Sequence, residues 1–210
     1  LGGMDVLQGR YADAIVNLDR SVALNPTAEA VSNLGTAYFN LRRFDEAIST
    51  YNRSFQFKID NYQLWINLGD AFHWSPGREK QAEDTYREAI TRGRKFLEER
   101  PYHDEVRAEL APIYARLGQA DSARVWMAAA LEKGDTNPNI QYGAALTYWE
   151  LGQTNEAFDR LERAVKAGYP TVWLRDSAVF DAWRGTPRFQ AIIGDSAQSA
   201  NTASPREGGS

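Results

Sequence analysis

Four apolar stretches of this chain, each aligned on one small residue, set the period of everything else. They are "NLGTAYFNLRRFDEA", "NLGDAFHWSPGREKQA", "ELAPIYARLGQADSA" and "GAALTYWELGQTNEA", with Gly35, Gly69, Ala111 and Ala145 as anchors spaced by 34, 42 and 34. A second series, Ala14, Ala47, Ala82, Ala123 and Ala157, follows at 33, 35, 41 and 34. Two helical segments per period of about 34 residues are the mark of an all-α helical solenoid. No single unit could bury its apolar stripe alone, so stacking must supply one shared core. The array is expected over residues 1–170, with units near 28–61, 62–103, 104–137 and 138–170. Residues before these supply the second half of a truncated first unit, which implies a chain cut from something longer.

The residue types fit that geometry. Small residues sit where two antiparallel backbones cross. Bulky ones fill the space between: Tyr38, Phe72, Tyr114 and Tyr148 on first helices, and Leu18, Tyr51, Tyr86, Met127 and Leu161 on second helices. Gly9, Gly118 and Gly152 follow first helices, where a left-handed residue ends the helix. Two departures stand out. Seven extra residues within "TRGRKFLEERPYHDE" amount to two helical turns with a rotation defect of only about 20°. They predict a second helix lengthened by about 10 Å, protruding with Phe96 and Leu97 as its apolar residues. Pro112, inside a first helix, removes the hydrogen bond to Ala108 and should kink it.

Composition narrows the function classes. The net charge of −4 offers none of the basic surface that a general nucleic-acid binder needs. No run of about 18 apolar residues is present, so no membrane insertion is expected. Zero cysteines exclude disulfides and thiolate chemistry. With His73 and His103 alone, and no HExxH, GxSxG or phosphate loop, we expect neither catalytic residues, nor metal, nor cofactor. The carboxylates of "REKQAEDTYRE" read as a solvated helix face.

Trp65 to Phe72, "WINLGDAF", resembles the Trp-x2-Leu-Gly-x2-Tyr start of the tetratricopeptide repeat, with Phe for Tyr. Ala82, Tyr86 and Ala89, and then Ala157, Leu161 and Ala164, match its second helix; Pro26 matches its closing proline, which later units replace with Ile59, Arg94, Asp135 and Tyr169. The resemblance implies a right-handed superhelix whose concave surface takes protein partners. After it, residues 171–194 should form two short capping helices broken at "RGTP", on the spacing Phe180, Trp183, Phe189, Ile192 and Ile193. Gly168, Tyr169, Trp173, Leu174, Arg175, Phe180, Pro187, Arg188 and Phe189 resemble the segment closing repeat arrays in bacterial multidomain signalling proteins, among them serine/threonine kinases, adenylate cyclases and winged-helix regulators. That implies a signalling context, cytoplasmic or in an extracytoplasmic part of a membrane-bound parent. Residues 195–210, poor in large apolar side chains, read as a disordered tail.

At 100° per residue from each anchor, offsets −6, −3, +1, +4 and +5 span about 40° to 140°. The resemblance places that arc on the inner surface. The expected groove residues are Phe39, Ile66, Asp70, His73, Trp74, Tyr142, Leu146 and Trp149. Large aromatics on a groove suit peptide docking, since they bury much area with few rotors to freeze. The charges there, Glu29, Asp70, Glu105 and Glu150 against Arg116, favour a neutral or mildly basic segment with apolar anchors. A carboxylate clamp is not expected, because no Lys lies on the arc. The leading reading is a non-catalytic scaffold for a protein or peptide ligand. The alternative is a structural role: self-association into a homo-oligomer through the open N-terminal end, or an intramolecular sensor and spacer.

Overall fold

The computed structural model describes residues 1–56 and 61–201, with side chains through residue 194. Helices follow one another in antiparallel pairs: α1 (Gly2–Leu7) with α2 (Tyr11–Leu24), α3 (Ala28–Asn40) with α4 (Phe44–Gln56), and α5 (Tyr62–His73) with α6 (Glu79–Glu99). Then come α7 (Asp104–Arg116) with α8 (Ala120–Gly134), and α9 (Pro138–Glu150) with α10 (Thr154–Lys166). The chain ends on α11 (Thr171–Asp176), a 3-10 turn at Ala178–Phe180, and α12 (Pro187–Asn201).

Local chemistry explains where these helices begin and end. Three of the first helices open on a side-chain cap. Thr27 Oγ1 accepts from the Ala30 amide at 3.1 Å, Asn61 Oδ1 from Leu64 at 2.9 Å, and Asn137 Oδ1 from Asn139 at 2.9 Å. Each cap satisfies an amide that the helix itself cannot. The turns inside the pairs close with a left-handed residue, at Gly118 (φ 73) and Gly152 (φ 74) among others. Beyond it the amides of Gln119 and Gln153 reach back to the carbonyls of Tyr114 and Tyr148, both at 2.8 Å. Arg42 occupies the equivalent place after α3 with φ 61, a conformation in which a side chain is strained.

Small anchors are required where the helices cross. A Cβ on Gly69 would stand 2.5 Å from the Tyr86 ring, and one on Gly35 would stand 2.3 Å from the Tyr51 ring. Both tyrosines are buried and have nowhere to move. The same logic governs α7 and α9. Pro112 donates no hydrogen bond, which leaves the Ala108 carbonyl without its helical donor. A Cβ on Gly143 would lie 2.5 Å from that oxygen, so α9 presses its bare backbone against the site. Helix α7 runs unbroken through Pro112.

The seven extra residues do lengthen a helix: α6 has 21 residues against 13 in α4 and 15 in α8. The added turns do not stand out bare, as the sequence suggested. Leu97 is buried, and Phe96 lies 5.4 Å from the Tyr62 ring and 5.5 Å from His103.

The closing segment differs in detail from two helices broken at Arg184–Pro187. Phe180 and Trp183 sit on the 3-10 turn and the turns after it, and α11 comes before them. Phe180, Trp183 and Phe189 are fully buried and cover the last pair. The backbone of α12 continues helically to Asn201, into the stretch expected as a tail. Residues 202–210 and Ile59 lie outside the described residues. At the opposite end, Leu1, Met4, Leu7, Val16 and Leu24 expose large apolar side chains.

Candidate functional site

The first helices α3, α5, α7 and α9 line up along the inner side of the array. Two adjoining cavities lie against them, about 420 and 280 Å³ in volume. Both are lined by Asn67, Asp70 and Tyr142 on the floor, and by Tyr169 and Val179 opposite. The first extends to Asn33, Thr36, Phe39 and Trp173; the second to Ile66, Pro112, Arg116 and Leu146.

Charge on the floor is organised by one residue. Arg116, its side chain only 6% exposed, pairs with Asp70 of α5 at 2.7 Å and with Glu150 of α9 at 2.8 Å. Tyr86 donates its hydroxyl hydrogen to Asp70 at 2.7 Å and accepts from Arg116 at 3.1 Å. The guanidinium also lies 5.0 Å from the centre of the Trp74 ring. Burial alone would disfavour the guanidinium charge; its anionic and phenolic neighbours outweigh that and hold its pKa well above the usual value. Three first helices are thereby tied at one point. Away from this cluster the second cavity is also lined by Glu109, whose carboxyl pKa burial raises, and uncharged amides line the rest of the polar floor. Asn67 donates to Ser32 Oγ at 3.2 Å and Asn40 donates to the Thr36 carbonyl at 2.9 Å. Asn40 Oδ1 is buried without a hydrogen-bond partner among the described residues, on a residue that lines the first cavity.

Of the eight expected anchors, Ile66, Asp70, Tyr142 and Leu146 line the cavities, and so does Phe39. Phe39 is nonetheless 8% exposed, wedged against Phe44 and Trp74 at 5.4 and 5.7 Å. Trp74 caps the end of α5, half-buried beneath Arg116, and lines neither cavity. His73 lies beside it at 4.5 Å with its outer edge in solvent. Desolvation by its neighbours, then the Arg116 charge, lowers the imidazole pKa from its usual value. Trp149 is turned into the cap, stacked on Trp183 at 4.3 Å. Tyr142 stacks on Tyr169 at 4.4 Å, and burial pushes its hydroxyl up to about 12.

Periodicity missed the opposite wall. Tyr169 closes the last repeat, outside the first-helix register, and Trp173 and Val179 lie beyond the repeats, where no register exists to place them. It also missed Asn33 and Asn67, at offset −2 from the anchors, just outside the assumed arc. Among the described residues, no three His, Cys, Asp or Glu side chains gather as a metal ion would need, and no helix is long and apolar enough to cross a membrane.

Family profiles described as tetratricopeptide repeat match residues 7–58, 80–145 and 140–171. The chain is similar to a thermophilic TPR protein in Thermus thermophilus, whose crystal structure superposes with a TM-score of 0.62. The two are 20% identical, over 86% of this chain and 95% of that one, a likeness of fold. It is also 23% identical to the BBSome complex member BBS4 homolog of Drosophila melanogaster, over 78% of this chain and 35% of that protein. The chain thus spans about a third of that relative's length.

Proposed function

Because the chain belongs to the tetratricopeptide repeat family, we propose that it is a non-catalytic scaffold holding a segment of a protein partner in its concave groove. The observation that carries this is the pair of adjoining cavities, the second of which sets the apolar side chains Ile66 and Leu146 beside a hydrogen-bonding floor. Such a mixture suits an extended segment, with apolar side chains for affinity and amides to orient the backbone. With Arg116 already shared between Asp70 and Glu150, the groove holds no free cation for an acidic ligand among these three groups. A neutral or mildly basic segment fits best. The likeness of the closing segment to arrays in bacterial signalling proteins supports a place beside an effector domain in such a protein.

Peptides selected from a random display library test the reading. Ile66→Asp and Leu146→Asp are each expected to weaken the selected peptides roughly tenfold or more. Val125→Asp, at an exposed residue of α8 outside both cavities, should leave them unchanged. Equal loss in all three variants, or none in the groove pair, would defeat the proposal.

A second reading, self-association, is favoured by the apolar end formed by α1 and α2. Leu1, Met4, Val16 and Leu24 are 100, 58, 73 and 78% exposed there. Large apolar side chains exposed at one end of an array are candidates for burial against a second chain. Sedimentation velocity should show a dimer that Val16→Glu dissociates; a monomer at every concentration rejects it.

A further inference from the structure

The segment after the last repeat pair does more than cover that pair. It crosses the open side of the groove and reaches the first pairs. Val172 sits over Gly9, so near that a Cβ there would stand 2.9 Å from its methyl carbon. Ala178 is buried in the same apolar cluster as Val6 and Phe39. One residue holds this crossing from the far side. Arg42 donates to the Asp176 carbonyl at 2.7 Å and to Asp181 Oδ1 at 2.6 Å, more than 130 residues away in sequence.

The position of Arg42 is telling. Glycine fills the equivalent place at Gly9, Gly118 and Gly152, where the backbone must be left-handed. Arg42 takes that conformation at φ 61, against the preference of any side chain. A residue strained in this way at a position open to glycine needs a compensating contact, and the two bonds to the crossing segment supply one. The ion pair is partly solvent-exposed, Arg42 at 37% and Asp181 at 50%, so water and salt compete with it.

We propose that residues 170–179 form a releasable strap across the groove, ending at the buried Phe180, and that Arg42 is its clasp. The strap supplies Tyr169-side wall residues such as Val179, so its release would unroof both cavities and admit a partner segment from the side. This rests on the groove reading above for its purpose, though not for its structure. The clasp itself is weak enough to open; release also exposes Leu174 and Ala178, while Phe180, Trp183 and Phe189 keep the last pair covered.

Hydrogen exchange on the whole chain tests it. In Arg42→Gly, amides of residues 171–179 should exchange roughly tenfold faster, with those of α7 to α10 unchanged. The melting temperature should hold or rise, because glycine relieves the left-handed strain. Asp181→Asn should speed the same amides, and 1 M salt should do so in the unaltered chain but not in Arg42→Gly. Unchanged exchange in the strap, or acceleration spread evenly over the repeats, overturns the clasp. The groove reading stands or falls separately. A library peptide that binds Arg42→Gly more tightly supports it, and an open strap without any peptide binding sinks that reading while leaving the clasp intact.

Discussion

Trp183→Ala will melt the C-terminal cap. The indole is fully buried, with Trp149 at 4.3 Å, Phe158 at 4.9 Å, Phe180 at 5.3 Å and Phe189 at 6.2 Å from it. Those rings come from α9, α10, the 3-10 turn and α12, and no one of them can move in without leaving another. Removal of so large a side chain from a rigid site costs about 3–5 kcal/mol. In a stacked array the end unit can unfold alone, so the loss should appear first as free exchange in α12 and α10. The early phase of a urea titration should split from the rest. Trp183→Phe separates packing from polarity. The indole Nε1–H is buried without an acceptor among the described residues, a deficit of about 1–3 kcal/mol that phenylalanine does not carry. The phenylalanine variant should therefore lose well under half of what alanine loses. Equal losses would mean that the indole hydrogen contributes a bond this packing does not account for.

What the sequence revealed, and what it hid, divides along the range of its periodicity. The anchors Gly35 and Gly69 told where helices cross because only a missing Cβ leaves room for Tyr51 and Tyr86. The seven-residue surplus told which helix is long, since two whole turns keep the buried face in register. Within the groove the expected arc meets the cavities at mid-helix offsets. Ile66 and Tyr142 at −3, and Asp70 and Leu146 at +1, reach the cavities. Phe39 at +4 and Arg116 at +5 line them too, whereas Trp149 at +4 and Trp74 at +5 do not, because their long side chains at helix ends meet whatever the next segment brings. For Trp149 that is Trp183, 34 residues on, and for Trp74 it is Arg116 from the following pair. The strap was hidden for the same reason. Its position depends on contacts with Gly9 and Arg42, at sequence separations that no local pattern encodes.

Arg116 is the site where a single change should reach furthest. Its guanidinium holds Asp70 and Glu150, which sit on helices either side of its own. Without it two carboxylates would face each other across a half-buried floor, each 22–24% exposed. Truncating one member of a buried ionic set commonly costs about 3–5 kcal/mol, and partial solvent access places this one at about 3. Arg116→Met is expected to lose that much in urea denaturation, because methionine refills the volume but leaves the charges unpaired. The triple variant Arg116→Met, Asp70→Asn, Glu150→Gln should recover most of it, since neutral amides need no cation. The amide oxygen that Asp70→Asn introduces would still accept the Tyr86 hydroxyl hydrogen, so the phenol would not be orphaned. If the triple variant stays as unstable as Arg116→Met, charge is not what ties α5, α7 and α9 together. The contact of the guanidinium with Trp74 and Tyr86 would then be the stronger part, and the groove floor would be held by stacking.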